Sequence, residues 1–416
     1  MNRLLIRGGK KLCGEIDIQG SKNAALPIIA ATILSGEECV IHNCPHLADT
    51  RAALEIIRQL GGKAECDGHT VVINNEDISA SEICNELMCS MRSSVLFLGS
   101  LLSRRKKAVI SYPGGCDIGL RPIDLHLKAF RELGVTVEET GGYIYCSLEK
   151  LKPNIINLLF PSVGATENIM LLAAVSDGET IITNAAREPE IVDLQNFLNA
   201  MGAKIFGAGS ETMRILGVEK LKKVEYNIIS DRIFAATCAC AAACCGGDVV
   251  LRQVEPEHIR LMLSMLKDSG CRISSGKRYV RIQAEERPRG LGKIMTSPYP
   301  GFPTDAQALF MSALATAEGT TVFVENIFES RYKHVPELLK MGADIIVDGR
   351  LAAVTGCNYI QGAKISAGDL RGGAALVIAG LSAIGDTELS GIEHIDRGYE
   401  KIEDVFSALG AEIKRK

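Results

Sequence analysis

The chain has 416 residues, 46 Lys and Arg against 50 Asp and Glu, a net charge of -4, and 47% hydrophobic residues. That length exceeds one ordinary core, so two domains of about 200 residues are expected. The slightly acidic balance excludes wholesale nucleic-acid binding and requires any anion site to be a local cluster of cations.

The opening residues 1–16 contain no apolar run of signal-peptide length. The longest apolar run, residues 233–245, is short of the ~18 residues that a membrane span needs. Fourteen cysteines occur without a C-x-x-C pair, and Pro45 lies between His42 and His46. This pattern indicates a reduced, cytoplasmic protein with mostly buried, inert thiols and no metal centre.

One phrase recurs along the chain. An amphipathic segment ends at a glycine, and a strand-like run follows, at Gly61, Gly134, Gly202, Gly270, Gly342 and Gly410. The spacing is 68 to 73 residues throughout, so the chain holds six copies of one unit. Each glycine is predicted to cap an outer helix at the position just past its end. Each copy also holds a more apolar helix, rich in small residues, predicted at 23–34, 92–102, 165–175, 232–245, 306–317 and 370–383. Helices apolar nearly all round belong in a core. One unit therefore reads strand, buried helix, strand, outer helix and a two-stranded hairpin.

The sixth copy stops without its returning strand, and residues 3–18 resemble the missing piece as it occurs at 352–366. The expected domains are 22–229, with three repeats, and 230–416 completed by 1–21, with a cleft between them.

The buried helices begin on polar residues: Lys22 and Asn23, Arg92, the Gly164 stretch, Asp231 with Arg232, Thr304 with Asp305, and Asp369 with Arg371. Asp and Thr suit helix caps. Lys and Arg there oppose the helix dipole. Salt bridges to nearby acids explain some of them, whereas an anion facing both cation and helix start explains the set. Arg331 and Arg397 lie in similarly punctuated loops. No Walker A loop and no G-x-G-x-x-G behind a strand is present, so ATP and dinucleotides are not indicated.

Residues 112–126 form a further candidate. Pro113, Gly114, Gly115, Gly119 and Pro122 forbid regular structure, and Cys116 sits at the tip with Asp117 beside it and Arg121 five residues on. A thiol near a fixed cation suits a reactive site; the alternative is a surface loop with an incidental cysteine.

These motifs resemble the UDP-N-acetylglucosamine 1-carboxyvinyltransferase family, related through the six-unit plan to 5-enolpyruvylshikimate-3-phosphate synthase. The likeness covers essentially the full length. It rests on Gly20-Ser-Lys-Asn-Ala-Ala, the 113–126 loop, Ser162-Val-Gly-Ala-Thr-Glu-Asn, Asn184-Ala-Ala-Arg-Glu-Pro-Glu-Ile-Val-Asp, Phe302-Pro-Thr-Asp, Asp369-Leu-Arg and His394-Ile-Asp-Arg-Gly-Tyr-Glu. The fold it implies is α/β: a two-domain inside-out α/β barrel of the EPSP synthase type.

The resemblance implies transfer of the enolpyruvyl group of phosphoenolpyruvate to the 3-hydroxyl of UDP-N-acetylglucosamine, without cofactor or metal, at the opening of peptidoglycan synthesis. It makes Cys116 the proton donor to C3 and a site of covalent phospholactoyl modification, and Asp305 the base. Lys22, Arg121 and Arg397 fall to the phosphate, and Arg331 and Arg371 to the carboxylate, with Asn23 beside them. For the UDP-sugar it implies Asn23, Arg92, Arg121, Pro122, Ile123, Asp124, Leu125, Ser162, Val163, Gly164, Asp305 and Ile327. Ala48 and Phe160 stand where some members carry lysine, which puts a peripheral phosphate contact in doubt. A shikimate-pathway enzyme and a non-catalytic UDP-sugar sensor are the alternatives; the Cys116 loop disfavours the first, and the retained Cys116, Asp305 and arginines disfavour the second.

Overall fold

The computed structural model describes residues 3–114 and 123–416. The chain divides into two compact units. One contains the residues up to Gln19 together with Ser230–Lys416, and the other the described residues from Gly20 to Ile229.

Buried and outer helices alternate. In the Gly20 to Ile229 unit, α1 (Lys22–Ala31) is buried and α2 (Ala48–Gln59) is outer; a short α3 (Asn85–Ser90) then leads through a 3-10 turn at Arg92–Leu96 into α4 (Phe97–Arg105). Next come outer α5 (Asp124–Glu132), buried α6 (Val163–Ala173) and outer α7 (Pro189–Ala200). The other unit repeats the alternation with α8 (Arg232–Cys245), α9 (Arg260–Asp268), α10 (Thr304–Leu314), α11 (Val335–Lys340), α12 (Leu370–Ser382) and α13 (Ile402–Ala408). In this unit α8, α10 and α12 pack on one another. Alanine and glycine on these helices let backbones approach closely, and dense packing of that kind supplies their stability.

All six outer helices end in the same way. After α7, Gly202 N–H donates to Asn199 C=O and Ala203 N–H to Leu198 C=O, with Gly202 at φ +104°. The same pair of bonds recurs at Gly61, Gly134, Gly270, Gly342 and Gly410, each with positive φ. This is the Schellman termination that the repeated glycine predicts.

Each repeat closes a small sheet. In the third, Ile155–Asn157 runs parallel to Glu179–Thr183, which pairs antiparallel with Thr212–Leu216 and through it with Lys204–Phe206. The second repeat differs. Its sheet has three strands, and a lone parallel bridge, Glu82 to Val109, stands in the place of the fourth.

Two strands are exchanged. Leu12–Asp17 precedes α1 in sequence but lies parallel to Gly247–Arg252, the strand after α8. Val224–Asn227 precedes α8 but lies parallel to Glu38–His42, the strand after α1. Leu4–Arg7 closes the last sheet, pairing antiparallel with both Asp386–Ser390 and Glu412–Arg415. No helix among the described residues is long and apolar enough to cross a membrane.

Candidate active site

Cys116, Arg121 and Pro122 lie outside the described residues. The remaining candidates are divided between the two units.

In the Gly20 to Ile229 unit, Ser21 caps α1 by accepting from Ala24 N–H, which places Lys22 in the first turn. Its Nζ is 3.2 Å from Asp49 Oδ2, and both side chains are nearly buried. An acid therefore accounts for this cation at a helix start. One carboxylate oxygen leaves two ammonium N–H groups available, and losing either member of a buried pair is costly. Asn23 beside it is half-buried. Ala48 opens α2, adjacent to Asp49, and Phe160 is an exposed aromatic.

Arg92 opens the 3-10 turn instead of the α-helix expected at 92–102, and its guanidinium donates to Pro113 C=O at 3.4 Å. Ser94 is the reason for the difference. Its hydroxyl donates to Met88 and Met91 C=O, competing with regular helix at that point. The loop stem is tight here, since a Cβ on Gly114 would lie 2.7 Å from Cys89 C=O. Gly114 is thus required by close approach.

Ser162 caps α6 by accepting from Ala165 N–H. Val163 and Gly164 are therefore the first helical residues, and N–H groups at such positions lack helical acceptors and favour an anion. A Cβ on Gly164 would sit 3.0 Å from His126 Cε1. His126 is buried on α5, and burial, aided by the Arg92 charge, holds its pKa down at about 3. Asn168 fixes its tautomer. The amide oxygen of Asn168 accepts from Gly99 N–H, so its amino group donates to Val95 C=O and to His126 Nδ1. The proton of His126 is then on Nε2. Ile123 is buried, Leu125 half-buried and Asp124 exposed.

In the other unit, Asp305 in the first turn of α10 lies between two arginines, with Arg331 at 2.5 Å and Arg371 at 3.6 Å. The arginine side chains are 3% and 4% exposed, and Asp305 is 29% exposed. Arg331 also donates to Thr304 C=O and stands 5.8 Å over the Phe328 ring. Arg371 follows the cap residue Asp369, donates to Tyr399 Oη at 3.0 Å and lies over that ring. Tyr399 Oη reaches Thr237 Oγ1, which donates to Ile233 C=O on α8. Burial opposes the charge of Arg371, but Tyr399, Asp305 and Asp231 outweigh it and raise its pKa above the usual arginine value. Arg397 ends a half-buried turn at Ile395–Arg397. Gly373 lets that turn sit against α12, since a Cβ there would be 2.7 Å from Ile395 Cγ1.

The structure thus unites Asp305, Arg331 and Arg371, and separately brings Arg92 near the start of α6 through His126. Lys22 and Arg371 both have carboxylate partners, so ion pairing accounts for two of the helix-start cations, within what the sequence suggested. Sequence reasoning missed Asp49, His126, Asn168, Thr237, Tyr399 and Glu325. His126, Asn168 and Tyr399 sit inside motifs already singled out; Asp49, Thr237 and Glu325 carry no local signal.

The sequence model of the family EPSP synthase (3-phosphoshikimate 1-carboxyvinyltransferase) matches residues 6–406. UDP-N-acetylglucosamine 1-carboxyvinyltransferase 2 of Caldanaerobacter subterraneus subsp. tengcongensis is 52% identical over the full length of both chains. UDP-N-acetylglucosamine 1-carboxyvinyltransferase of Geobacter metallireducens is 46% identical over all of this chain and 99% of its own. Among solved structures, the enolpyruvyl transferase NikO from Streptomyces tendae superposes with a TM-score of 0.89 at 27% identity, covering 100% of this chain and 99% of its own. EPSP synthase from Acinetobacter baumannii covers both chains fully at a TM-score of 0.77 and 21% identity, a likeness of fold. The chain has the EPSP synthase-like α/β fold and belongs to the EPSP synthase family, within it to the UDP-N-acetylglucosamine 1-carboxyvinyltransferases.

Proposed function

We propose that the chain transfers the enolpyruvyl group of phosphoenolpyruvate to the 3-hydroxyl of UDP-N-acetylglucosamine, releasing phosphate, as the cytoplasmic step that opens peptidoglycan synthesis. The observation that carries this reading is Asp305: a partly exposed carboxylate at a helix start, aimed by two nearly buried arginines.

The addition needs a base for the sugar hydroxyl and an acid for C3 of the enol. Asp305 takes the hydroxyl proton as the sugar oxygen bonds to C2. Cys116 delivers a proton to C3, and its thiol is also the group that takes a phospholactoyl adduct. In the second half C3 loses a proton, the double bond re-forms and the C2–O bond to phosphate breaks. Lys22, Arg121 and Arg397 balance the phosphate, and Arg331 and Arg371 the carboxylate, with Asn23 alongside. Arg331 and Arg371 already balance Asp305, so the carboxylate would share them with it. Asn23, Arg92, Pro122, Ile123, Asp124, Leu125 and Ile327 fall to the UDP-sugar, and the start of α6 at Ser162, Val163 and Gly164 to its diphosphate.

Phosphate release from phosphoenolpyruvate tests the reading with each acceptor in turn. Release is expected with UDP-N-acetylglucosamine; release only with shikimate 3-phosphate, or sugar binding without turnover, overturns it. Asp305→Asn keeps the shape and removes the base. It is expected to lower kcat about 100-fold or more while KM for phosphoenolpyruvate stays within about 3-fold. An unchanged kcat would remove Asp305 from the role of base.

A further inference from the structure

The geometry assigns Glu325 as the positioning residue that holds Asp305 and Arg331 in register. Glu325 follows the strand Thr320–Val324 and is 1% exposed. Four neutral groups among the described residues donate to it. Oε1 accepts from Thr296 Oγ1 at 2.9 Å, Ile327 N–H at 2.8 Å and Phe328 N–H at 3.1 Å, and Oε2 accepts from Thr304 Oγ1 at 2.9 Å.

These donors belong to the two segments that build the Asp305 cluster. Thr304 opens α10 directly before Asp305, and its C=O receives Arg331. Thr304 reads as a helix cap from sequence, yet the cap residue is Pro303, and the hydroxyl of Thr304 goes to Glu325. Ile327 and Phe328 begin the segment that carries Arg331, whose guanidinium stands over the Phe328 ring. One carboxylate therefore clamps the start of α10 to the turn that carries Arg331. Thr296 Oγ1, which donates to it, also accepts from Asn326 N–H and extends the clamp to a third segment. Glu325 bonds to the segments that carry Asp305 and Arg331, so its effect on chemistry runs through their placement, and small misplacements cost rate steeply. Removing a buried acceptor strands its donors.

This inference rests on the proposed transferase reading where it concerns rate, and the test separates the two. In the full chain, Glu325→Ala and Glu325→Gln are compared with Arg331→Ala and the Glu325→Ala/Arg331→Ala double variant. Kinetics are measured per folded site, with circular dichroism as the check on folding. Gln keeps one oxygen for Ile327 and Phe328, and its amide can donate to the Thr304 hydroxyl. Glu325→Ala is expected to lower kcat about 30-fold or more, and Glu325→Gln to stay within about 5-fold of the parent. The double variant should fall within about 3-fold of the slower single variant, because both changes disturb one arrangement.

Amide hydrogen exchange gives a readout independent of turnover. Glu325→Ala should speed exchange about 10-fold at residues 326–331 and at the start of α10, and leave α8 unchanged. Additive kinetic losses, or unchanged exchange at 326–331, would overturn the assignment. A parent chain that turns over no UDP-sugar would refute the transferase reading instead, and the exchange comparison would then decide the clamp alone.

Discussion

His126 shows how one side chain's chemistry is set by its neighbours. Burial first, then Arg92, holds it neutral, and Asn168 dictates which nitrogen keeps the proton. Its folded pKa, about 3, lies below the unfolded value of ~6.5. Between those values the unfolded chain binds a proton that the folded chain does not, so its contribution to stability falls as pH drops below about 6.5. An asparagine side chain at this position would keep an acceptor for Asn168 and lose the titration, so His126→Asn isolates the effect. The parent should lose stability faster than the variant from pH 6.5 to 4, by up to ~1.4 kcal/mol per pH unit. Asp193, raised to about 6, and Glu167, also raised, both mainly by burial, act in the opposite sense but are common to both proteins. Equal slopes in thermal unfolding across that range would contradict a buried neutral His126.

Legibility at this scale followed residue type. Lys22, Asp305 and Arg371 stood out because charges at the starts of apolar helices demand an explanation. Glu325, Thr237 and Asn168 did not, because a Glu after a strand and polar residues within helices are ordinary until partners such as Thr304, Tyr399 and His126, 21 or more residues away, are known. The cysteines were expected to be mostly buried, yet six of the thirteen described ones are; among those, burial pushes Cys146 up to about 12 and Cys39 and Cys271 upward too.

Among elements, the outer-helix endings were read best, because a Schellman turn is local and glycine is its signature. Nothing lies within 4 Å of a Cβ added at Gly202, so its requirement is the φ of +104° alone. Gly202→Ala should therefore cost about 1–2 kcal/mol in unfolding free energy, with activity per folded molecule unchanged. A loss below a few tenths of a kcal/mol would mean that the turn relaxes freely. The buried helices were read to within two or three residues at most ends. The exception at Arg92 has a side-chain cause: Ser94 ties its own hydroxyl to the preceding turn, an interaction that apolar periodicity does not report.

Across the whole molecule, the repeat explains what otherwise looks irregular. Residues 3–7 correspond to 351–355 in their repeat, and both close a sheet antiparallel. The exchanged strands Leu12–Asp17 and Val224–Asn227 follow the same logic, each filling the parallel position that another repeat leaves open. The missing strand of the second repeat was not legible, because the 81–83 stretch pairs through one bridge only. Each unit thereby presents polar residues on the first turns of its buried helices, which is where the proposed chemistry is located.

The central claim is addition of the sugar hydroxyl to phosphoenolpyruvate with protonation at C3, followed by loss of phosphate. The most direct measurement is mass spectrometry and NMR of the product formed from phosphoenolpyruvate and UDP-N-acetylglucosamine in D2O. A deuteron delivered to C3 makes a methyl group that later loses a hydrogen, so the predicted product is the 3-O-enolpyruvyl ether with deuterium in its vinyl methylene. Phosphate release without a sugar-linked enolpyruvyl group, or that ether formed without any deuterium, would contradict it.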